Sequence, residues 1–457
     1  MTIKSYILTL LSCFVITALK AQTKLSENIF SKKLANGLTV LVIEDNSVPL
    51  ATVSMTFKNG ACNEASNYSG LTYMYHNMLY KANATYGPAE RVAYITSTLG
   101  MVRNLSVNEE NAECHFTMPS FGINEGLKYM NAAIRFPVLD EKGLNEAKNI
   151  SDKELQGKES NPMFMLNKNM WQYLWGDLYK RKMAIGTHES IQAATLSLMD
   201  SIQKKYYYPD NALLTIAGNV SHLQMFNQAD ELFGTWKASG FDPLKKWPVP
   251  PFKPVAQTRY FTVEDAGATV PVILLAWQGP GTRTDIASTY AADVFSYILT
   301  QNASKLNKAL VQSGLALELS FNYLTLSRGG PITFLIKPNP SKIKECLAEV
   351  KRQISLFDAD DYLTTEQIAT AQRKLEINQI RREEVTSDFV NTLSFWWSST
   401  SLDYFFTYAA NLQKVKRANL QAYVRKYIKN KPYCAGLLIT PDLKAQLKTD
   451  DFFKAGK

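Results

Sequence analysis

The feature that most constrains the fold is an internal repeat. A strand-like run ends at residues 55–60, and a second one ends in a comparable way at residues 275–280, 220 positions later. A helical end followed by a breaker and a strand occupies residues 202–217 and recurs at residues 420–439, with about the same offset. Repetition at one spacing indicates repeated structural units, so the sequence predicts two equivalent halves.

The length of the chain and a proline-rich segment agree with this division. The 457 residues exceed the roughly 250–300 at which a single hydrophobic core stops growing. Residues 240–254 contain five prolines, which cannot continue a helix or a central strand. We therefore predict an extended linker at 240–254 between domains at 24–239 and 255–457.

The first residues have the pattern of a targeting segment. Lys4 precedes an apolar run over residues 6–19 that is too short to span a bilayer, and small residues precede Gln22. This predicts a signal peptide over residues 1–21 and a periplasmic protein. A lipoprotein-like box around Cys13 leaves a lipid anchor as the less favoured alternative. No later apolar run is long enough to predict stable membrane insertion.

The charge pattern excludes one class of partner. Lys and Arg total 50 against 41 Asp and Glu, a net charge of +9, and the surplus is spread along the chain. A nucleic-acid-binding protein needs basic residues concentrated on one face. We therefore expect a solvated mixed-charge surface and no nucleic-acid partner.

Strands and helices alternate in the first half, and the pattern favours an α+β fold. Strand-like runs at 101–107 and 112–118 flank a short polar turn, which predicts a hairpin. Helical patterns precede this hairpin and follow it. Because hairpins as well as helices join the strands, the sequence favours a mostly antiparallel sheet over a doubly wound parallel sheet.

At this point three segments carry a resemblance to a known family. Residues 36–42, 70–81 and 314–316, together with the duplicated layout, resemble the pitrilysin/insulinase (M16) family of zinc metallopeptidases, including its non-catalytic members. The resemblance covers nearly the whole chain after the signal peptide. It implies two similar insulinase-like (LuxS/MPP-like) domains in a clam-shell arrangement. Each domain would have a mostly antiparallel sheet with helices on one face.

The zinc motif of that family is degenerate in this chain. The family carries His-x-x-Glu-His on a helix, where two histidines bind Zn²⁺ and the Glu acts as general base. The corresponding residues here are Tyr73, His76 and Asn77. A protonated phenol and an amide are poor zinc ligands, and one imidazole is not a zinc site. We therefore expect no catalytic residues, no bound metal and no cofactor.

Two further functional positions of the family also differ. The third zinc ligand is a Glu seven residues after another Glu; Glu146 matches the first, which puts Lys153 at the ligand position. A shift of one residue would put Glu154 there instead, and the sequence leaves this open. The positions that would hold an Arg and a Tyr for the substrate carbonyl are Leu310 and Leu317, which cannot donate a hydrogen bond. The nearby Tyr323 and Arg328 are the alternative donors, although ordinary strand-end positions are the favoured interpretation.

One binding feature of the family does not depend on particular side chains. In the family an edge strand pairs with extended peptide substrate through backbone hydrogen bonds. Residues 102–107 occupy that position, so Val102, Asn104, Leu105 and Ser106 are candidate peptide-binding residues. The alternative is an edge strand that the second half of the chain covers.

The resulting functional prediction is an exported, catalytically inactive M16-like subunit, a pseudoenzyme. Family members of this length are expected to work as dimers, and one chain alone would leave the inner faces of its sheets exposed. The predicted partner is a catalytic M16 homologue, and the two would form a chamber for unstructured peptides. The alternatives are an active zinc metalloendopeptidase with remodelled ligands, or a peptide-binding scaffold without a protease partner.

Overall fold

The fold is described by a computed structural model, which covers residues 23–65, 68–384 and 386–447. The predicted signal peptide at residues 1–21 lies outside the described residues. Within the described ranges, no helix combines the length and the apolar character needed to span a membrane.

The strands form two sheets, one from each half of the sequence. The first sheet has seven strands in the order β1-β2-β3-β7-β4-β6-β5, and the second has five in the order β10-β11-β9-β12-β8. Among the strands of the described ranges, only the pairs β3–β7 and β8–β12 are parallel. The bounds are β1 (Thr23–Ser26), β2 (Ile29–Lys33), β3 (Thr39–Glu44), β4 (Leu50–Phe57), β5 (Val102–Val107), β6 (Ala112–Pro119), β7 (Ala212–Gly218), β8 (Arg259–Glu264), β9 (Val272–Gln278), β10 (Ala316–Tyr323), β11 (Pro331–Pro338) and β12 (Cys434–Ile439).

Helices surround both sheets, so the α+β prediction is confirmed. Their bounds are α1 (Leu71–Leu79), α2 (Ala89–Thr98), α3 (Ile123–Arg135), α4 (Glu141–Glu159), α5 (Pro162–Trp175), α6 (His188–Gln192), α7 (Leu196–Tyr206), α8 (His222–Phe233), α9 (Pro243–Lys246), α10 (Ile286–Leu299), α11 (Lys305–Asn307), α12 (Ile343–Leu356), α13 (Thr365–Arg382), α14 (Thr386–Ser399), α15 (Leu402–Leu412), α16 (Arg417–Tyr427) and α17 (Pro441–Leu447).

Each half covers one sheet face with its own helices. In the first sheet, alternate residues of β4 such as Val53 and Met55 point towards α1 and α3 and form the main core with Met74 and Leu127. In the second sheet, β9 contributes in the same way to a core with helix α10 and its neighbours. The alternation follows from the two-residue period of a strand, which sends successive side chains to opposite faces.

The opposite face of each sheet is covered by a helix from the other half. Phe389, Val390 and Leu393 of α14 pack on residues of β3 and β7, and Leu166 and Met170 of α5 pack against the second sheet. The expectation that a single chain exposes these inner faces is therefore wrong. Burial of apolar surface is the main stabilising term in folding, so the exchanged helices hold the two halves together.

The proline-rich segment contains one turn of helix, whereas the sequence predicted an extended linker. Asp242 accepts hydrogen bonds from the backbone N–H groups of Leu244 and Lys245, and Pro243 occupies the first turn of α9. Proline fits there because its missing N–H would be unpaired in any helix, and its ring fixes a helical φ. After α9, residues 247–257 form neither a helix nor a strand. The domain limits 24–239 and 255–457 stay a prediction.

Candidate functional site

The helix that would carry the zinc motif is α1, and its position is fixed by close backbone packing. Gly70 precedes α1 with φ of 86°, and a Cβ there would lie 2.5 Å from the carbonyl oxygen of Ile185. Glycine is the residue that tolerates both conditions. The buried carboxylate of Glu64 accepts hydrogen bonds from the N–H groups of Gly70 and Thr72, each at 2.6 Å. The start of α1 is therefore held rigidly beside the segment around Ile185.

His76 is part of the protein core and does not face a peptide-binding surface. Its side chain is fully buried, with Nε2 2.5 Å from the hydroxyl of Tyr207 and Nδ1 3.1 Å from Sγ of Cys114. Burial lowers the pKa of His76 to about 3, so the ring is neutral at physiological pH. His76 therefore takes no part in a surface with Tyr73 and Asn77, which are half-buried.

Tyr73 forms a polar contact with helix α4 at one of the two candidate positions for the family's third ligand. Its hydroxyl donates a hydrogen bond to Glu154, whose other oxygen lies 3.3 Å from Nζ of Lys158. Burial and the nearby carboxylate raise the pKa of Tyr73 above its ordinary value, so the phenol keeps its proton.

This contact decides which residue of α4 faces α1. Glu154 is half-buried against Tyr73, whereas Lys153 is exposed. Adjacent helical residues differ in direction by about 100°, so only one of the two can face the same neighbour. Of the two candidates for the third-ligand position, Glu154 contacts Tyr73 and Lys153 is exposed, while the assignment of that position itself stays a prediction.

These groups do not fit a zinc ion. The Nδ2 of Asn77 donates to the backbone oxygen of Tyr73 at 3.0 Å, so the amide bonds within its own helix. The carboxylate of Glu154 already accepts from a phenol and lies beside an ammonium group. Zinc sites in proteins are built from thiolate, imidazole and carboxylate donors. Within the described parts of the chain, no cluster of three or more His, Cys, Asp or Glu residues suits a metal.

A cleft of about 830 Å³ opens beside Tyr73 and Glu154. Its wall combines bulky apolar side chains with amides and charged groups. The lining residues are Tyr73, Val107, Glu154, Gly157, Lys158, Asn161, Met163, Phe164, Asn167, Trp171, Lys182, Met183, Ala184 and Ile185. Pockets of this size and composition are typical of ligand sites, in which apolar walls give affinity and a few polar groups give orientation.

Strand β5 leads directly into this cleft. It is the last strand of the first sheet, so one of its edges has no strand partner among the described residues. Val102 is 74% exposed and Asn104 is also exposed, while Leu105 and Ser106 are half-buried. Its final residue, Val107, is part of the cleft wall. The predicted edge position of residues 102–107 is confirmed, and its open edge runs towards the cleft.

The second half of the chain does not supply the carbonyl-binding pair of the family. Leu310 is fully buried and Leu317 is 55% exposed, and neither has a polar side chain. Tyr323 donates its hydroxyl to the carbonyl oxygen of Pro280 at 2.8 Å, so that group is already used. Arg328 is half-buried in the loop after β10 and does not line the cleft.

The structure also reveals contacting residues that the sequence pattern did not single out. The turn between β5 and β6 places Glu109 against Lys182, with 2.5 Å between the carboxylate and Nζ. The next residue, Glu110, accepts from the backbone N–H of Ser327 in the other half. A pair of acidic residues in a hairpin turn normally predicts a solvated turn, so the sequence contained no signal for this contact.

Comparisons with known proteins identify the family of the chain. The family profile for insulinase (peptidase family M16) matches residues 39–180, and the profile for the peptidase M16 inactive domain matches residues 194–375. An uncharacterized zinc protease from Rickettsia felis is 24% identical over 224 residues, which cover 48% of this chain and 54% of that protein. The match thus spans about half the length of that relative. The zinc protease PqqE of Helicobacter pylori is 22% identical over 88% of this chain and 90% of its own length.

Solved structures share the whole architecture. A protease from Helicobacter pylori has a TM-score of 0.78 at 19% identity, covering 89% of this chain and 98% of its own. The first half of the periplasmic protease PqqL from Escherichia coli has a TM-score of 0.75 at 12% identity, covering 93% and 95%. At such identities the likeness shows the fold alone. Taken with the two profile matches, which lie one in each half, it shows that the chain belongs to the insulinase (M16) peptidase family.

Proposed function

We propose that this chain is a non-catalytic M16 protein that binds extended, unstructured peptides. The observation that carries the proposal is the contact between Tyr73, Glu154 and Lys158. In the family this place holds a zinc ion, whereas here a phenol and an ammonium group flank the one remaining carboxylate. Metallopeptidases of this type need the metal to activate water, and no other residue of the cleft takes over that role.

Two neighbouring features support peptide binding. Strand β5 has a free edge, and an extended peptide can add to such an edge through main-chain hydrogen bonds. The cleft begins at Val107, where this strand ends, and its aromatic wall includes Phe164 and Trp171. A bulky apolar peptide side chain at that end would find apolar surface, while the strand edge would hold the backbone irrespective of sequence.

We further propose that the chain is exported to the periplasm and acts as the silent subunit of a heterodimer with a catalytic M16 homologue. A peptide-binding surface that lacks catalytic groups is useful when a partner subunit supplies the catalytic site. Because α5 and α14 already cover the inner faces of the sheets, the partner would meet the rim around β5 and the cleft mouth. This placement keeps one bound peptide within reach of both chains.

The direct test is to mix this chain with a homologue from the same organism that has an intact His-x-x-Glu-His motif. Light scattering at micromolar concentration is expected to show a 1:1 complex, and cleavage of an unstructured peptide by the homologue is expected to become faster. A control is this chain with Trp171→Ala, which should still form the complex but give less acceleration. No complex and an unchanged cleavage rate would contradict the heterodimer and leave the stand-alone peptide-binding protein.

The rival proposal of an active enzyme makes a different prediction. It requires peptide cleavage by the isolated chain that depends on added zinc and is lost in Glu154→Gln. Because the carboxylate of Glu154 would then be a metal ligand, its loss would abolish both zinc binding and cleavage. We expect neither activity nor zinc dependence from the isolated chain.

A further inference from the structure

The hairpin tip, residues 108–111 between β5 and β6, is clamped between the two halves of the chain. On one side, backbone carbonyls of Asn108 and Glu109 accept hydrogen bonds from Ala61 and Cys62 at 3.1 and 2.9 Å. On the other side is the loop of residues 324–330, which joins β10 to β11 and is here called the docking loop. The strand proposed to bind peptide therefore ends in a contact with the opposite half.

The contact between the hairpin tip and the docking loop is polar and buried. Both carboxylate oxygens of Glu110 accept from the backbone N–H of Ser327, at 3.0 and 2.9 Å, and one also accepts from its hydroxyl at 2.6 Å. Glu110 is 6% exposed and Ser327 is 3% exposed. Hydrogen bonds to a buried charged group are among the stronger ones, and leaving the charge without them is costly.

Lys182 joins this contact to the cleft. Its Nζ donates to Glu109 at 2.5 Å and to the carbonyl oxygen of Gly329 in the docking loop at 3.1 Å. The same ammonium group lies 4.0 Å above the ring of Trp175 and 4.1 Å above that of Phe252. The side chain of Lys182 is only 2% exposed, yet the residue is part of the cleft wall.

The cleft therefore shares the wall residue Lys182 with the contact, and a second wall residue, Val107, directly precedes the hairpin tip. If the docking loop left the tip, Glu110 would lose its donors and Lys182 would lose the carbonyl of Gly329. Lys182 would then be held only by Glu109 and the two aromatic rings. The exchanged helices α5 and α14 would still hold the halves together, so the change is a local undocking and not an opening of the molecule.

We infer that peptide binding in the cleft and docking of residues 324–330 on the hairpin tip stabilise each other, with Lys182 as the positioning residue that joins them. This inference rests on the proposed peptide binding. A ligand shifts an equilibrium only when it prefers one state, and here the docked loop supplies one of the hydrogen bonds that position Lys182 in the cleft wall. Coupling between two sites is reciprocal, so weakening the docking contact must weaken peptide binding.

The test uses substitutions that touch the docking contact but not the cleft. Glu110→Gln replaces a carboxylate that accepts from Ser327 by an amide whose NH₂ group would oppose the same N–H. Ser327→Ala removes one donor from the other side of the contact and is the milder change. The matched control is Glu44→Gln. Glu44 also accepts a hydrogen bond from a backbone N–H, that of His222 at 2.7 Å, but both residues lie in the first half of the chain. Thermal unfolding checks that each variant is folded.

Affinity is measured by fluorescence anisotropy with a short labelled, unstructured peptide that has a central phenylalanine. We expect Glu110→Gln to weaken binding about fivefold or more, the lower range of typical coupling, and Ser327→Ala to weaken it less. Glu44→Gln should bind as the unmodified chain does. Hydrogen exchange should show slower exchange in residues 324–330 when the peptide is bound.

Two results would overturn the inference in distinguishable ways. If the unmodified chain binds the peptide while Glu110→Gln binds equally well and exchange in the docking loop does not change, the coupling is wrong and peptide binding stands. If the unmodified chain binds no such peptide, the proposed function fails and the coupling falls with it.

Discussion

The burial of His76 leads to a prediction about stability and pH. In the folded chain its pKa is lowered to about 3, because burial disfavours the charged ring, whereas an unfolded histidine titrates near its ordinary value of 6.5. Below pH 6.5 the unfolded chain therefore takes up a proton that the folded chain excludes. The stabilising contribution is complete above pH 6.5 and is lost progressively as the pH falls towards 3.

The size of the effect follows from the difference in pKa. Each pH unit below 6.5 costs about 1.4 kcal/mol of unfolding free energy, so pH 5 costs about 2 kcal/mol relative to pH 8. Glu64, Glu109 and Glu113 are also buried, and burial raises the pKa of each to about 7. Their contribution changes with pH in the opposite direction, because an acid with a raised pKa destabilises the folded chain as the pH rises.

The assay is therefore a comparison between two proteins. Urea unfolding of the unmodified chain and of His76→Gln is measured at pH 8 and pH 5, so that the other titrating groups cancel. The unmodified chain should lose about 2 kcal/mol more than the variant between these pH values. Equal losses would show that His76 titrates as an exposed histidine, and would refute its placement between Tyr207 and Cys114.

Three further outcomes follow from the site. The double variant Tyr73→His with Asn77→His should take up zinc in calorimetry, because the carboxylate on α4 already faces this position; no uptake would mean that the facing geometry is wrong. Lys153→Ala should leave that uptake unchanged, since the residue is exposed on α4. Trp171→Ala should weaken peptide binding about tenfold, as expected for an aromatic anchor, while Tyr94→Ala, which alters an aromatic residue 72% exposed on α2, should not. Equal affinities of these last two variants would show that the cleft wall does not bind peptide.

Local features of the fold could be predicted from the sequence. The hairpin of β5 and β6 pairs residues close in the chain, with Asn104 opposite His115, and alternating side chains indicate such strands. The order of the sheet could not be predicted in this way. Strand β7 lies between β3 and β4, although it begins more than 150 residues after each of them ends. No local pattern encodes a pairing over that distance.

The exchange of helices between the halves was also not visible in the sequence. The apolar residues of α14, such as Phe389 and Leu393, predict that the helix is buried but not which sheet it covers. This is why the inner sheet faces were expected to be exposed. A helical stripe of apolar residues carries no information about its partner.

The site was predicted in part. The sequence identified Tyr73 and Asn77 as poor zinc ligands, and in the structure Tyr73 donates to Glu154 and Asn77 donates to the backbone of Tyr73. The helical spacing of His76 did not indicate its burial, which places the ring against Cys114 of β6. The choice between Lys153 and Glu154 depends on a rotation of about 100°, which spacing alone does not fix.

The most direct test of the central claim, that this member of the M16 family is not a zinc enzyme, is the zinc content of the purified chain. The chain is expressed in zinc-replete medium, freed of loosely bound metal by gel filtration and analysed by elemental analysis. The account predicts far less than one zinc per chain, and the same low value for Glu154→Gln. About one zinc per chain, lost in Glu154→Gln, would contradict it.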